Sequence, residues 1–243
     1  ACAAFFSPFA RGTFRASGGR PPCQLSPVVQ GGGGNDVNHA EIRDRIRHCL
    51  HSTHQVETIT GDHAVAGMAR EERTLMPAAV LMPLVERSEG YTVLLTQRTA
   101  HLEHHAGQIS FPGGRAEEED ANPVDTALRE AEEEIGLQRR HVVEIAGFLD
   151  LYQTVTGFLI TPVVGFVTPP FELALDAFEV AEAFEVPLDF ILDPRNHESR
   201  SMFYKGQHRR YYVIPYEDRF IWGATAAMLV NFARRLAEHP LLP

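Results

Sequence analysis

The sequence predicts one α/β or α+β domain, and three observations carry that prediction. Short segments rich in β-branched and apolar residues are interspersed with two well-delimited helical stretches. No internal repeat is visible, which sets solenoids and propellers aside. The 243 residues are 44% hydrophobic and 22% charged, an ordinary globular composition with length enough for a sizeable core.

The elements are justified in chain order. Ahead of Asp36, the first acidic residue, stand Arg11, Arg15 and Arg20, many Gly and Pro residues, and four consecutive glycines at 31–34. Little periodic apolar surface is present to offset ordering entropy, so residues 1–37 are expected to form a disordered extension. An Arg-rich, acid-poor N-terminus also has the composition of an organelle transit peptide, the less favoured reading. The glycine run lacks the Lys and Ser/Thr that would follow it in a phosphate-binding loop. Residues 38–74 are read as a helix and connector, with Asn38 as N-cap and Ile42, Ile46, Cys49 and Leu50 at helical spacing. The main domain spans 75–243. Within it, 78–85 and 91–96 read as strands joined by a turn over Ser88, Glu89 and Gly90, and 142–149, 158–167, 184–186 and 211–215 read as further strands. A helix is predicted over 123–135, with Asn122 as N-cap, Pro123 at the first position, Asp125 in a capping-box-like place and Gly136 as the stop. A second covers 224–238, with Met228, Leu229, Phe232 and Leu236 on its core side.

Charge narrows the function. Lys+Arg 22 against Asp+Glu 32 gives a formal charge of -10, which argues against a nucleic-acid partner, because that affinity comes mostly from cationic neutralisation of phosphates. A phosphorylated small molecule stays compatible if arginines or divalent cations reverse the sign locally. The cysteines Cys2, Cys23 and Cys49 are odd in number and lack metal-ligand or CxxC spacing, as expected in a reducing, cytoplasmic setting. No apolar run approaches the roughly 20 residues of a membrane span, so no membrane partner is expected.

The chemistry-bearing stretch runs from Gly113, Gly114 and Arg115 through Asp120 to Arg129, Glu130, Glu133, Glu134 and Gly136. On a helix, Val124, Leu128, Ala131 and Ile135 form a narrow apolar stripe, and the three glutamates fall together on an adjacent flank. Carboxylates three and four residues apart repel by a few tenths of a kcal/mol per pair, and the helix dipole disfavours anions in this C-terminal half. A solvated acidic face is the plain explanation of such a run. A divalent cation with hard oxygen ligands is the alternative that reverses the sign of the repulsion.

Taken with Phe111 and Pro112 before them, these residues resemble the signature of Nudix hydrolases. Asp120 stands where the pattern has Glu, eight rather than seven residues separate it from Arg129, and Ala131 replaces a larger aliphatic residue. A second run, Leu94 to Thr99 followed by Leu102, His105, Gly107, Gln108 and Phe111, resembles the additional signature of coenzyme A diphosphatases of bacterial type, with Glu103 where that signature carries Arg. The likeness extends over about residues 75–236.

The resemblance implies an α/β/α sandwich with a mixed β-sheet. It also implies Mg²⁺ or Mn²⁺ held by Glu130, Glu134 and Glu133, with Arg129 and Glu133 in catalytic roles, Arg129 by orienting a helix carboxylate. Arg98, His105, Gly113, Gly114 and Arg115 would contact the substrate. The expected reaction is hydrolysis of the diphosphate of coenzyme A or an acyl-CoA. ADP-ribose, a dinucleotide, or a non-catalytic nucleotide-binding role are the alternatives, and a homodimer is left open. His101, His104 and His105 lack the partner spacing of a zinc site.

Overall fold

The computed structural model describes residues 38–70, 74–102, 105–204 and 206–239, so the expectation for 1–37 concerns residues outside those described, as do those for Glu103 and His104. Helix α1 (His39–Cys49) begins at Asn38, whose side chain accepts from the Glu41 backbone N–H, and it buries Ile46 and Cys49. Strand β1 (Ile59–Gly61) and the short α2 (Asp62–Ala66) lead into the long hairpin of β2 (Met76–Arg87) and β3 (Gly90–Arg98). The short β4 (Ile109–Ser110) and β5 (Gly113–Arg115) precede α3 (Pro123–Ile135). Then come β6 (Val142–Phe148), β7 (Leu151–Gln153), β8 (Phe158–Val167), β9 (Val180–Pro187) and α4 (Leu188–Leu192). A second, antiparallel sheet of β10 (Glu198–Tyr204), β11 (Gln207–Tyr216) and β12 (Arg219–Trp222) leads to α5 (Gly223–Glu238).

The main sheet is ordered β1-β7-β8-β2-β3-β4, with β5 added to β2, β6 to β8 and β9 to β3. It is mixed: β8 runs parallel to β2 from Met76↔Phe158 to Val85↔Val167, β1 runs parallel to β7, and the other pairs are antiparallel. Strand β2 shows why the sequence reads as a near-continuous apolar run there, since alternate residues serve opposite faces. Val80, Met82 and Leu84 pack with α1 and α5, whereas Ala79, Leu81 and Val85 pack with α3. Helices thus cover both faces, and the architecture is an α/β/α sandwich.

The expected strands at 184–186 and 211–215 are the middles of longer ones, β9 and β11. Sequence reading did not anticipate β1, α2, β4, β5, β7, α4, β10 or β12, which are short or lack apolar periodicity. Asp150 ties α1, α5 and the β6–β7 turn together. Its carboxylate, 8% exposed, pairs with His51 Nε2 (2.8 Å) and accepts from Asn231 Nδ2 (2.8 Å) and Arg235 Nη1 (3.0 Å), while Arg235 Nε donates to the Cys49 carbonyl (2.7 Å). The Cys49 thiol, buried here, is pushed up to about 11 by that burial.

Removing the carboxylate in Asp150→Ala strands three donors at the junction of α1, α5 and the β6–β7 turn. The expected cost is about 2 kcal/mol, discounted for the partial exposure of Arg235 and His51. Urea unfolding followed by circular dichroism measures it, and a change within about 0.5 kcal/mol would show the network to be incidental.

Candidate active site

Helix α3 occurs where the local signals put it. Asn122 Oδ1 accepts from the backbone N–H groups of Val124 (2.8 Å) and Asp125 (3.3 Å), and Asn122 Nδ2 donates to the Asp125 carboxylate (2.9 Å). Gly136 ends the helix in the left-handed region at φ 69°, with its N–H reaching Glu132 O and that of Leu137 reaching Ala131 O. The last carbonyls are not left to solvent: Glu134 O and Ile135 O accept from the backbone N–H groups of Asp176 and Ala174, both at 2.9 Å.

Every N–H of the Arg129 guanidinium has an acceptor. Nε and Nη2 grip Asp120 at 3.0 and 2.9 Å, Nη2 also donates to the Arg115 carbonyl at 3.1 Å, and Nη1 donates to Glu130 Oε1 and Glu133 Oε2, both at 3.0 Å. Arg129 holds the Asp120 carboxyl well below the usual range, helped by the Thr126 hydroxyl and the Glu117 N–H. Asp120, at the position departing from the family pattern, is therefore a structural partner of Arg129.

The three glutamates do not share one environment. Glu134 is buried at 6% exposure on the core side of α3, Glu130 is largely covered, and the Glu133 side chain is 60% exposed. Burial pushes the Glu134 carboxyl up to about 7, against the Gly113 N–H, which donates to it at 3.2 Å, and Arg98, whose Nη1 lies 3.8 Å away. Burial also raises Glu130 against the pull of Arg129. Gly114 explains itself here: a Cβ on it would lie 2.5 Å from the Glu130 carboxylate. Gly113, at φ 152°, passes so close to β2 that a Cβ would meet the Ala79 carbonyl oxygen at 2.5 Å.

Of the other expected site residues, Arg98 and Gly113 border a cavity of about 310 Å³, and His105 and Gln108 join them in its wall. His105, at φ 56°, is held through Nδ1 by Gln108 Oε1 at 2.9 Å. Arg115 contributes its carbonyl to Arg129, and its side chain is exposed. His101 packs against Phe178 instead of joining His105. Sequence reading missed Glu179, half-buried in the turn just before β9, whose charge raises both Glu130 and Glu134. No motif marks it; the turn that caps α3 and then bonds Glu179 N–H to Asp176 O carries it there.

Among the described residues, no three His, Cys, Asp or Glu side chains converge as a complete metal cage. Two covered carboxylates beside an open cavity suit Mg²⁺ or Mn²⁺ all the same, because Mg²⁺ is commonly held by one or two carboxylates, water and substrate phosphate. The Glu130 and Glu134 carboxyls, both raised by burial and each feeling a neighbouring carboxylate, fit that donor chemistry.

The model of the NUDIX domain matches residues 75–205. The uncharacterized Nudix hydrolase NudL of Cronobacter sakazakii is 38% identical over 173 residues, covering 71% of this chain and 89% of that protein. NudL of Escherichia coli K12 is 38% identical over 171 residues, covering 70% and 88%. Among solved structures, the MutT protein from Methanosarcina mazei Go1 aligns with a TM-score of 0.44 at 20% identity over 70% of this chain and 97% of that one. The Nudix hydrolase RenU from M. smegmatis aligns at 0.43 and 22% over 69% and 89%. Among the described residues, no helix is long and apolar enough to cross a membrane.

A carboxyl that ionises near 7 when folded and near 4.5 when unfolded binds an extra proton in the native state between those values. Native stability of the metal-free protein therefore falls as pH rises through that window and stays lower above it. Glu134→Gln is expected to raise metal-free stability at pH 8 by on the order of 2 kcal/mol, with little change at pH 4.5, while abolishing turnover. Thermal melts with a chelator and assays with Mg²⁺ or Mn²⁺ check both; retained turnover would sink the role given to Glu134.

Proposed function

The chain belongs to the Nudix family of hydrolases, and from that premise we propose that it hydrolyses the diphosphate linkage of coenzyme A or its thioesters. The products are adenosine 3′,5′-bisphosphate and 4′-phosphopantetheine or its acyl form. The observation that carries this reading is the position of the second motif. Arg98, His105, Gln108 and Phe111 line one cavity together with Gly113, whose N–H bonds Glu134. The residues that resemble the coenzyme A signature thus adjoin the residues that resemble the hydrolytic one.

Glu130 and Glu134 are the carboxylates that would hold the divalent cation. When bound, the cation supplies charge neutralisation for the diphosphate and acidifies water. Arg129 fixes the rotamer of Glu130 through a charge-assisted bond, so that the carboxylate is set before substrate arrives. Arg98 offers a cation to a phosphate oxygen, and β5 brings its glycine backbone close to the same point. Family members place the proton acceptor either on the helix or on a distant loop. Glu133 is bonded to Arg129 and exposed, whereas Glu179 acts on both covered carboxylates, so the surroundings favour Glu179 as base and leave Glu133 to hold Arg129.

Coenzyme A turned over in H₂¹⁸O should yield the two named products, with one ¹⁸O in one of them, by mass spectrometry. In the same assay Glu179→Gln should lower kcat by at least a hundredfold, and Glu133→Gln by less. Cleavage of ADP-ribose or a dinucleotide with indifference to coenzyme A would replace the substrate assignment, and a larger effect of Glu133→Gln would return the base to the helix.

A further inference from the structure

The turn that carries Glu179 is fastened from two sides. On one, the end of α3 holds it, with Glu134 O and Ile135 O accepting from the N–H groups of Asp176 and Ala174. On the other stands Thr99, which follows β3 and closes the run Leu94 to Thr99, and for which the hydrolytic reading has no use. Thr99 is buried, at 6% exposure, and directs two donors at this turn. Its N–H donates to the Glu179 carbonyl at 2.9 Å, and its Oγ1 donates to the Phe178 carbonyl at 2.8 Å.

Those two carbonyls belong to the two peptide groups that flank the Glu179 Cα. Each peptide group is planar, so the two torsions between them are the only soft ones at that residue. Both planes are also held at their other end, because the Asp176 carbonyl accepts from the N–H groups of Glu179 (3.0 Å) and Val180 (2.8 Å). The regular ladder gives no such control here. Strands β3 and β9 pair from Thr92↔Pro187 to Gln97↔Glu182 and then slip by one residue, so that Arg98 faces Val180. Val180 and Ala183 accordingly lie in the same core cluster although three residues apart, which strict alternation would not allow. Past this bulge the direction of the Glu179 side chain is set by local bonds. Most of them join backbone groups and would survive any substitution. Two side chains contribute: Asp176, within the turn, through Oδ1 to the Phe178 N–H (2.9 Å), and Thr99 from outside it.

We propose that Thr99 is the positioning residue of Glu179. Its hydroxyl fixes the peptide ahead of Glu179 while its N–H fixes the peptide behind, and the carboxylate is thereby kept beside Glu130 and Glu134. The assignment rests on the reading of Glu179 as base given above, and adds the residue that sets its geometry before substrate arrives.

Steady-state kinetics of the full chain with Mg²⁺ and coenzyme A, or ADP-ribose should that prove the substrate, test it together with hydrogen exchange. Thr99→Val removes the hydroxyl and keeps the backbone bonds; it is expected to lower kcat about tenfold with KM within about twofold of wild type. Thr99→Ser, which keeps the donor, should retain at least about half of kcat. In a Glu179→Gln background the Val substitution should cost nothing more, because the group it positions is gone. Without metal or substrate, the Glu179 and Val180 amides should exchange at least about tenfold faster in Thr99→Val than in wild type or Thr99→Ser, with the α3 amides unchanged. Thr99→Ala carries the same expectations should Thr99→Val not fold. Equal losses of kcat in the wild-type and Glu179→Gln backgrounds, or unchanged exchange at 179 and 180, overturn the proposal. Full kcat in Thr99→Val beside a slow Glu179→Gln overturns it and leaves the base in place, whereas full kcat in Glu179→Gln removes the base and this role with it.

Discussion

One guanidinium makes the acidic helix possible. Helix α3 carries Glu130, Glu132, Glu133 and Glu134 in its C-terminal half, where mutual repulsion and the helix dipole both act against it. Arg129 meets that load with all five of its N–H donors, two on Asp120 before the helix, one on the Arg115 carbonyl, and one each on Glu130 and Glu133. A lysine, with three donors on one nitrogen and no planar fork, could not span these groups. The same contacts join the loop after β5 to the helix, so the charge clamp also sets where Gly113 and Gly114 sit. Losing it would disorganise both sides of the site at once.

The other side of the site depends on close backbone approach. Gly113 lies against the β2 backbone with no room for a Cβ, and a Cβ on Gly114 would displace the Glu130 carboxylate. Ala131, where the family pattern has a larger aliphatic residue, is fully buried against the sheet on the same helix. Small residues on α3 and β5 let the helix come near enough to β2 for Glu134 to pass into the covered space behind it, where Gly113 N–H and Arg98 are its neighbours. The raised Glu134 carboxyl follows from this packing, because burial outweighs one N–H and one guanidinium nearly 4 Å away.

How legible all this was in the sequence depended on the range of the interactions. Helix α3 runs over Pro123–Ile135 as read, because Asn122, Pro123 and Gly136 are local signals and no tertiary contact overrides them. The paired strands β2 and β3 were legible from apolar runs around a turn. Glu134 was legible as one of the clustered glutamates but its burial was not, because β5, which covers it, is a three-residue strand with no pattern of its own. Glu179 was invisible for a related reason: it reaches the site through hydrogen bonds from 174 and 176 to the end of α3, contacts between segments forty residues apart. Strand β10 opens with four consecutive polar residues, Glu198 to Ser201, and β12 is only Arg219–Trp222, so neither produced a periodic signal strong enough to read.

The consequence is an acidic helix flank set beside a cavity of different character. At α3, carboxylates that repel one another are kept together by Arg129, and a divalent cation would complete their charge. The cavity beside it is lined by Arg98 and by apolar and aromatic side chains such as Phe111, Trp222 and Met228. The two regions meet at Gly113 and Arg98, which belong to the cavity lining and also touch Glu134 or stand close to it. On the proposed reading, a diphosphate placed at that boundary has its cleaved bond on the carboxylate side and one of its arms in the cavity. Because β11 and β12 make no part of the Arg129 clamp, the wall they lend to the cavity can change without breaking the contacts that hold Glu130 and Glu133.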